Sequence, residues 1–275
     1  MITDFAGRTA VITGGGGLLG RGMATAFARA GMNVVVADLD ADAALATVDV
    51  ARVLGSAARL MATAADVTDP ESMRQLADAT YEAFGEVNVL CLNAGLAILK
   101  PFEQLTRDDW HRVLDVQFGG VLNGVLEFLP RLIAQGGDRH IVATSSMSGV
   151  GRADLRSLNA PYVTAKFAVV GLTEVMEPAL RPHGIGVSVL CPGMTVADPP
   201  ALRESNVWAM PSAAWYRDNL LDEYQVGEEV LHGIREGRTH IFPHRSGRAE
   251  VDDRHAMLSA AFDAAERTSP PINQA

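Results

Sequence analysis

Cysteine is scarce in this chain of 275 residues: Cys91 and Cys191 are the only two, and each falls in an apolar, strand-like segment. They read as small buried hydrophobes rather than a disulfide pair, which excludes a disulfide-stapled scaffold and fits a reducing compartment. Basic residues are also in deficit. Lys and Arg number 23 against 33 Asp and Glu, a formal net charge of −10. That balance argues against a nucleic-acid-binding surface or a polybasic membrane anchor. No apolar run approaches the ~18 residues of a transmembrane helix. The start, Met1-Ile2-Thr3-Asp4-Phe5, lacks the basic opening of a signal peptide, and its apolar stretch is interrupted at Gly7-Arg8. The cytoplasm is therefore the expected location.

Apolar residues are plentiful, at 48%, enough for one sizeable core. Short apolar runs alternate with helical patterns. Strands are expected at 9–13, 33–37, 58–65, 87–92, 140–144 and 186–190, with a short one at 240–242. Helices are expected at 20–30, 40–54, 70–84, 106–135 (broken near Gly119-Gly120), 160–180, 227–236 and 249–265. The strands do not alternate polar with apolar, as befits a parallel sheet covered on both faces. The fold class is α/β: one doubly wound, Rossmann-type domain with a parallel sheet of about seven strands. Between 195 and 225 the pattern changes, with Pro199, Pro200, Trp208, Met210, Pro211, Trp215 and Tyr216. That stretch reads as an apolar substrate lid, or as core or oligomer contacts.

Three local patterns carry chemistry. Thr13-Gly14-Gly15-Gly16-Gly17-Leu18-Leu19-Gly20 follows the first strand and opens the first helix. In that context glycines let a pyrophosphate approach the backbone N–H groups of a helix N-terminus; a flexible turn is the plainer alternative. Asp38 ends the second strand, 24 residues after Gly14. A carboxylate there accepts hydrogen bonds from the adenosine ribose hydroxyls and repels a 2′-phosphate, favouring NAD over NADP; alternatively it caps the next helix. Tyr162 and Lys166 stand four apart, on one helix face. An ammonium beside a phenol stabilises the phenolate and lowers its pKa from ~10, which makes an acid/base for an alcohol oxygen. Alone, that spacing arises by chance in many helices.

Together these residues resemble the short-chain dehydrogenase/reductase family. Thr13-Gly14…Gly20, Asp66-Val67, Asn93-Ala94-Gly95, Ser146, Tyr162…Lys166 and Pro192-Gly193 occur in that family's order, over roughly residues 5–195. The resemblance implies that Gly14, Gly17, Leu18, Leu19 and Gly20 surround the pyrophosphate of NAD, and that Asp66 and Val67 flank the adenine. Asn93, Ala94 and Gly95 would line the cofactor, and Pro192, Gly193 and Thr195 would sit near the nicotinamide. Tyr162 would transfer the proton, Lys166 would lower its pKa and hold the nicotinamide ribose, and Ser146 would hydrogen-bond the substrate oxygen. Ser145 and Ser148 compete for that last role; the resemblance favours Ser146. Gln117 stands where the family usually has an asparagine that relays protons through water. The segments 119–130 and 227–243 more weakly resemble bacterial dehydrogenases that oxidise the benzylic alcohol of lignin-type aryl ethers. A homotetramer or dimer built on the long helices is implied as well.

This chain also departs from the family. Leu18 replaces a glycine, so its Cβ is expected to crowd the cradle unless Gly15, Gly16 and Gly17 let the loop shift. A second register, Gly16…Gly20-Arg21-Gly22, would shorten the distance to Asp38. Ser146 and Tyr162 are about three residues further apart than is usual, with the excess at 152–159. Thr195 and Ala197 replace Val and Thr. Asp38-Leu39-Asp40-Ala41-Asp42 lacks the glycine and glutamate of a calcium loop. His240 and His244 have no Cys or carboxylate constellation for a metal and are read as structural or solvated. No nucleophile elbow surrounds the serine. The expected activity is NAD-dependent interconversion of a secondary alcohol and a ketone, with a small-molecule, bulky apolar or aromatic substrate. A non-catalytic NAD-binding or scaffold protein on the same fold is the alternative.

Overall fold

The computed structural model describes residues 2–54, 58–151, 153, 158–197, 220–244 and 247–268. Pro199, Pro200, Trp208, Met210, Pro211, Trp215 and Tyr216 of the expected lid lie outside them, as do most of the extra residues before Tyr162. Seven parallel strands form one sheet in the order β3-β2-β1-β4-β5-β6-β9. They are β1 (Thr9–Thr13), β2 (Asn33–Asp38), β3 (Leu60–Ala64), β4 (Val89–Leu92), β5 (Arg139–Thr144), β6 (Ile185–Leu190) and β9 (His240–Ile241). The helices are α1 (Leu18–Arg29), α2 (Ala41–Leu54), α3 (Pro70–Phe84), α4 (Arg107–Leu114), α5 (Gly120–Gln135), α6 (Ala160–Leu180), α7 (Glu223–Glu236) and α8 (Arg248–Thr268).

Strand side chains alternate between two apolar cores, one on each face of the sheet. Ala10, Ile12, Val34 and Val36 meet α1, α2 and α7 on one side. Val11, Val35, Leu90 and Ile141 meet α3, α5 and α6 on the other. Both faces are thus apolar, which is why the strands read as continuous hydrophobic runs. Cys91 and Cys191 are buried free thiols, one in each core. Strand order reverses between β1 and β4, and open α/β sheets bind ligands in the crevice at such a point.

Four differences from the sequence expectations have local causes. The 106–135 helix is not broken at Gly119-Gly120. It widens into one π turn at Asp115–Gly119, and Gly120 keeps helical dihedrals. The helix expected from 227 begins at Glu223, because Asp222 and Gln225 form a reciprocal capping box. Two-residue strands β7 (Thr195–Val196) and β8 (Leu221–Asp222) pair in parallel, joining the two ends of the stretch 197–220. Asp40, not Asp38, caps α2: its Oδ1 accepts from the N–H groups of Asp42 and Ala43.

Helix α1 lies against the start of α7. A Cβ on Gly22 would come within 1.9 Å of the Glu223 carbonyl oxygen, so no larger residue fits that crossing. Arg21 donates from Nη2 to Glu223 Oε1 at 2.7 Å. Arg21 and Gly22 therefore serve the contact between helices, which leaves the Gly14–Gly20 register to face the crevice. Among the described residues no helix is long and apolar enough to cross a membrane.

Candidate functional site

The turn after β1 is built so that only glycine fits at its key positions. Gly14 has φ +62°, and a Cβ there would stand 2.6 Å from Ala94 Cα. A Cβ on Gly20 would stand 2.2 Å from the Gly14 carbonyl oxygen. Helix α1 then opens at Gly17 with no side-chain cap and no acidic residue in its first turn. Its terminal N–H groups and positive dipole end are left for an anion. Asp38 Oδ2 accepts from Gly16 N–H at 2.8 Å and its Oδ1 from Asp40 N–H at 3.1 Å. The carboxylate is thereby fixed at the rim of the turn, with lone pairs to spare.

A cavity of about 600 Å³ follows this turn, walled by Gly14, Gly17, Asp38, Asp66, Val67 and Ala94 among others. A second, of about 380 Å³, is walled by Gln117, Ser146, Tyr162, Lys166, Pro192, Gly193 and Thr195 among others. Leu18, Leu19, Asn93, Gly95 and Leu96 line both, so the two form one trough. The trough gathers all the residues assigned to the cofactor and catalytic site in the sequence except Gly20, which lies beneath the turn. Leu18 stands at the first turn of α1 and lines both cavities. Leu39, Asp40, Leu96 and Met194 also line the trough and were not foreseen; their only signal was a place just beyond a strand end.

Asn93 holds the strand ends together. Its Nδ2 donates to the carbonyls of Thr13 (3.2 Å) and Gly14 (3.3 Å), and its Oδ1 accepts from Thr144 Oγ1 (3.1 Å). Thr144 O in turn accepts from Lys166 Nζ at 2.7 Å. A line of hydrogen bonds therefore runs from the glycine turn to the lysine.

Lys166 is 3% exposed, and its Nζ stands 5.3 Å from the centre of the Tyr162 ring. Burial pushes the Lys166 ammonium down to about 7, because a charge in a dry interior is costly. The neighbouring serines divide the work. Ser145 Oγ donates to Lys166 O at 2.8 Å, so its proton is committed. Ser146 Oγ accepts from Ser148 N–H at 3.1 Å, so its own proton is left to donate. Ser148 lines neither cavity.

Gln117 sits inside the π turn, a feature common at functional sites. It is 1% exposed. Its Nε2 donates to Leu96 O at 2.6 Å, and its Oε1 has no partner. The extra methylene relative to asparagine carries the amide under Gly95, where a Cβ would stand 2.8 Å from Oε1. Thr195 Oγ1 is likewise buried without a partner. A dinucleotide fits these residues: a glycine-only turn, an uncapped helix start, a rim carboxylate and, at the far end, an unpaired hydroxyl.

Known proteins resemble this chain along most of its length. The family model described as short chain dehydrogenase matches residues 8–206. The C alpha-dehydrogenase of Sphingobium sp. strain SYK-6 is 33% identical over 255 residues, covering 88% of this chain and 82% of that protein. The 1-deoxy-11-beta-hydroxypentalenate dehydrogenase of Streptomyces avermitilis is 29% identical, covering 96% of both. A short chain dehydrogenase/reductase of Burkholderia phymatum, solved in complex with NAD, superposes with TM-score 0.81 at 30% identity over the whole of both chains.

The buried ammonium has a measurable consequence for the ligand-free protein. Below about pH 7 folded Lys166 carries its charge in the interior; between there and its ordinary 10.5, the unfolded chain holds a proton that the folded one has lost. Stability from this group therefore rises with pH across that window. Lys166→Met, which removes the buried charge, is expected to unfold at a higher temperature than the wild type at pH 7. The gap should narrow as the pH is raised toward 10. A gap that stays constant, followed by thermal denaturation of both proteins, would contradict the burial of a titrating ammonium.

Proposed function

The chain belongs to the short-chain dehydrogenase family, and from that premise we propose that it is an NAD-dependent oxidoreductase interconverting a secondary alcohol and a ketone. The carrying observation is that Tyr162, Lys166 and Ser146 share one cavity wall, continuous with the trough that begins at the glycine turn.

Bound NAD would supply the hydride acceptor, the nicotinamide C4, and the protein's part is orientation and proton handling. In the oxidative direction Ser146 donates its free hydroxyl proton to the substrate oxygen and steadies the developing negative charge. Tyr162, as phenolate, takes the proton of the alcohol. Lys166 is the counter-charge that makes the phenolate accessible near neutral pH, and the phenolate in turn favours the ammonium. Gln117 Oε1, an acceptor without a donor, is suited to order a water between Lys166 and solvent, which passes the proton out. Thr195 Oγ1 is available to the nicotinamide carboxamide.

The preference for NAD rests on Asp38. Asp38, Asp40 and Asp66 line the 600 Å³ cavity, and none of its described lining residues is basic. A 2′-phosphate would enter a field of carboxylates. The proposed substrate is a bulky apolar or aromatic secondary alcohol, of which benzylic alcohols are one class; Leu96, Ala97 and Met194 give that end apolar walls. The enzyme is taken as cytoplasmic, and as a homodimer or homotetramer through the long helices 107–135 and 160–180, whose Leu126, Ile133 and Val175 are exposed. Leu18 and Gln117, two of the departures from the family, favour the second reading, a non-catalytic NAD-binding protein.

Tyr162→Phe separates the two readings. For a catalyst, turnover of secondary alcohols should fall at least ~1,000-fold while NADH binding stays near the wild-type value. Wild-type protein that binds NADH yet turns over no member of a broad alcohol panel would favour the scaffold. The Asp38 assignment has its own check by fluorescence titration: NADH is expected to bind more tightly than NADPH, and the opposite order would refute it.

A further inference from the structure

His244 lies just beyond β9, is 6% exposed, and takes no part in the chemistry described above. Both of its ring nitrogens are engaged by the same short loop. Gly193 N–H donates to Nδ1 at 2.9 Å, and Nε2 lies 2.9 Å from Met194 O. A carbonyl oxygen only accepts, so Nε2 carries the proton and Nδ1 the lone pair. The imidazole is therefore neutral, in one tautomer. Burial also pushes the ring's pKa down, away from the charged form. The side chain packs close against the loop: a Cβ on Gly193 would stand 3.0 Å from His244 Cγ.

The loop so gripped is the one that walls the catalytic cavity through Pro192, Gly193, Met194 and Thr195. Its other side is held by Met147 N–H on Pro192 O at 3.0 Å, one residue from Ser146. Met194 O also receives Leu221 N–H at 3.5 Å, where the chain returns into β8. Beyond the grip comes Thr195, with its buried, unpaired hydroxyl. Four successive residues are thus set between the serine turn and β9, and His244 is the side chain that does it.

We propose that His244, as the neutral imidazole, is a positioning residue that fixes the 192–195 loop as the nicotinamide-facing wall of the cavity. This rests on the reading of the trough as an NAD site. Its consequence is specific. A protonated ring would point an N–H at the Gly193 N–H and open the grip, so cofactor binding and His244 protonation oppose each other. By linkage, NADH must lower the pKa of His244. The other groups facing this ring line a cavity beside it: Arg248 and Asp252, which pair with each other at 2.7 Å, and His255, all on α8. The serine turn, residues 145–149, and the 192–195 loop contribute no titratable group. Arg245, next in sequence, lies outside the described residues.

Two measurements on the full-length protein decide it. In the first, NADH is titrated by fluorescence into wild type, His244→Ala and His244→Asn, and NAD kinetics are recorded for each. His244→Ala is expected to raise the NADH Kd and the NAD KM roughly tenfold, the loss of two ordinary hydrogen bonds, with a much smaller change in kcat. Asn, whose Oδ1 falls near the Nδ1 position, should recover part of the loss. A folded Ala variant that binds NADH like the wild type overturns the proposal. The second measurement needs no variant: the nitrogen resonances of His244 in the wild type are followed against pH, with and without saturating NADH. A downward shift of its titration on binding supports the proposal, and an unchanged titration overturns it even if the Ala variant does not fold. Wild type that binds no NADH refutes the cofactor reading itself, a result distinct from either of these.

Discussion

One buried ammonium organises this molecule. Among the described residues Lys166 has no carboxylate beside it; its Nζ donates to the carbonyl of Thr144, and the Tyr162 ring lies alongside. A cation so placed is held at a cost, and it lowers that cost by losing its proton or by gaining an anion. The phenol of Tyr162 is positioned to become that anion. The chain's other cations show that the choice of lysine matters. Of 23 basic residues only Lys100 and Lys166 are lysines, and the rest are arginines. Arginine does not give up its proton in a protein, and lysine does. The residue that can titrate stands in the interior, at the one place where the proposed chemistry moves a proton.

The surrounding structure follows from holding that group still. Thr144 ends β5 and is tied through its hydroxyl to Asn93, which follows β4; Asn93 is tied to the carbonyls of Thr13, the last residue of β1, and Gly14 after it. Three strand ends at the point where strand order reverses are thus joined by one side chain. The glycine turn and the lysine are parts of a single hydrogen-bonded unit, although 152 positions separate Gly14 from Lys166 in the chain (166 − 14). Ser145 closes the unit from the other side by donating to the backbone of Lys166 itself.

Much of this was legible in the sequence, because the elements that matter most have local signals. Helix α6 runs over Ala160–Leu180, the range expected, and α3 begins at Pro70, as expected, with Asp69 as its cap. The glycine turn, Asp38 and the Tyr162/Lys166 pair lie at the foreseen places relative to strand ends, since strand ends in a parallel sheet converge on one crevice. Where sequence reading fell short, the cause was non-local or competing. The π turn keeps helical composition, so Gly119-Gly120 looked like a break. The capping box at Asp222 was hidden by the change of sequence pattern over 195–225. His244 was read as structural or solvated, and its contacts with a loop 50 residues earlier had no signal in the sequence. The lone acceptor of Gln117 was equally invisible, because it depends on how far one methylene carries an amide beneath Gly95.

The central claim is that the Lys166 ammonium brings the Tyr162 phenol within reach of physiological pH. Its most direct test is an ultraviolet difference titration of tyrosinate, comparing wild type and Lys166→Met, with Tyr162→Phe to identify the signal. One tyrosine, absent from the Phe variant, is expected to ionise well below the ordinary ~10 in the wild type and to return toward that value in Lys166→Met. Ionisation of Tyr162 near ~10 in both proteins would contradict the claim.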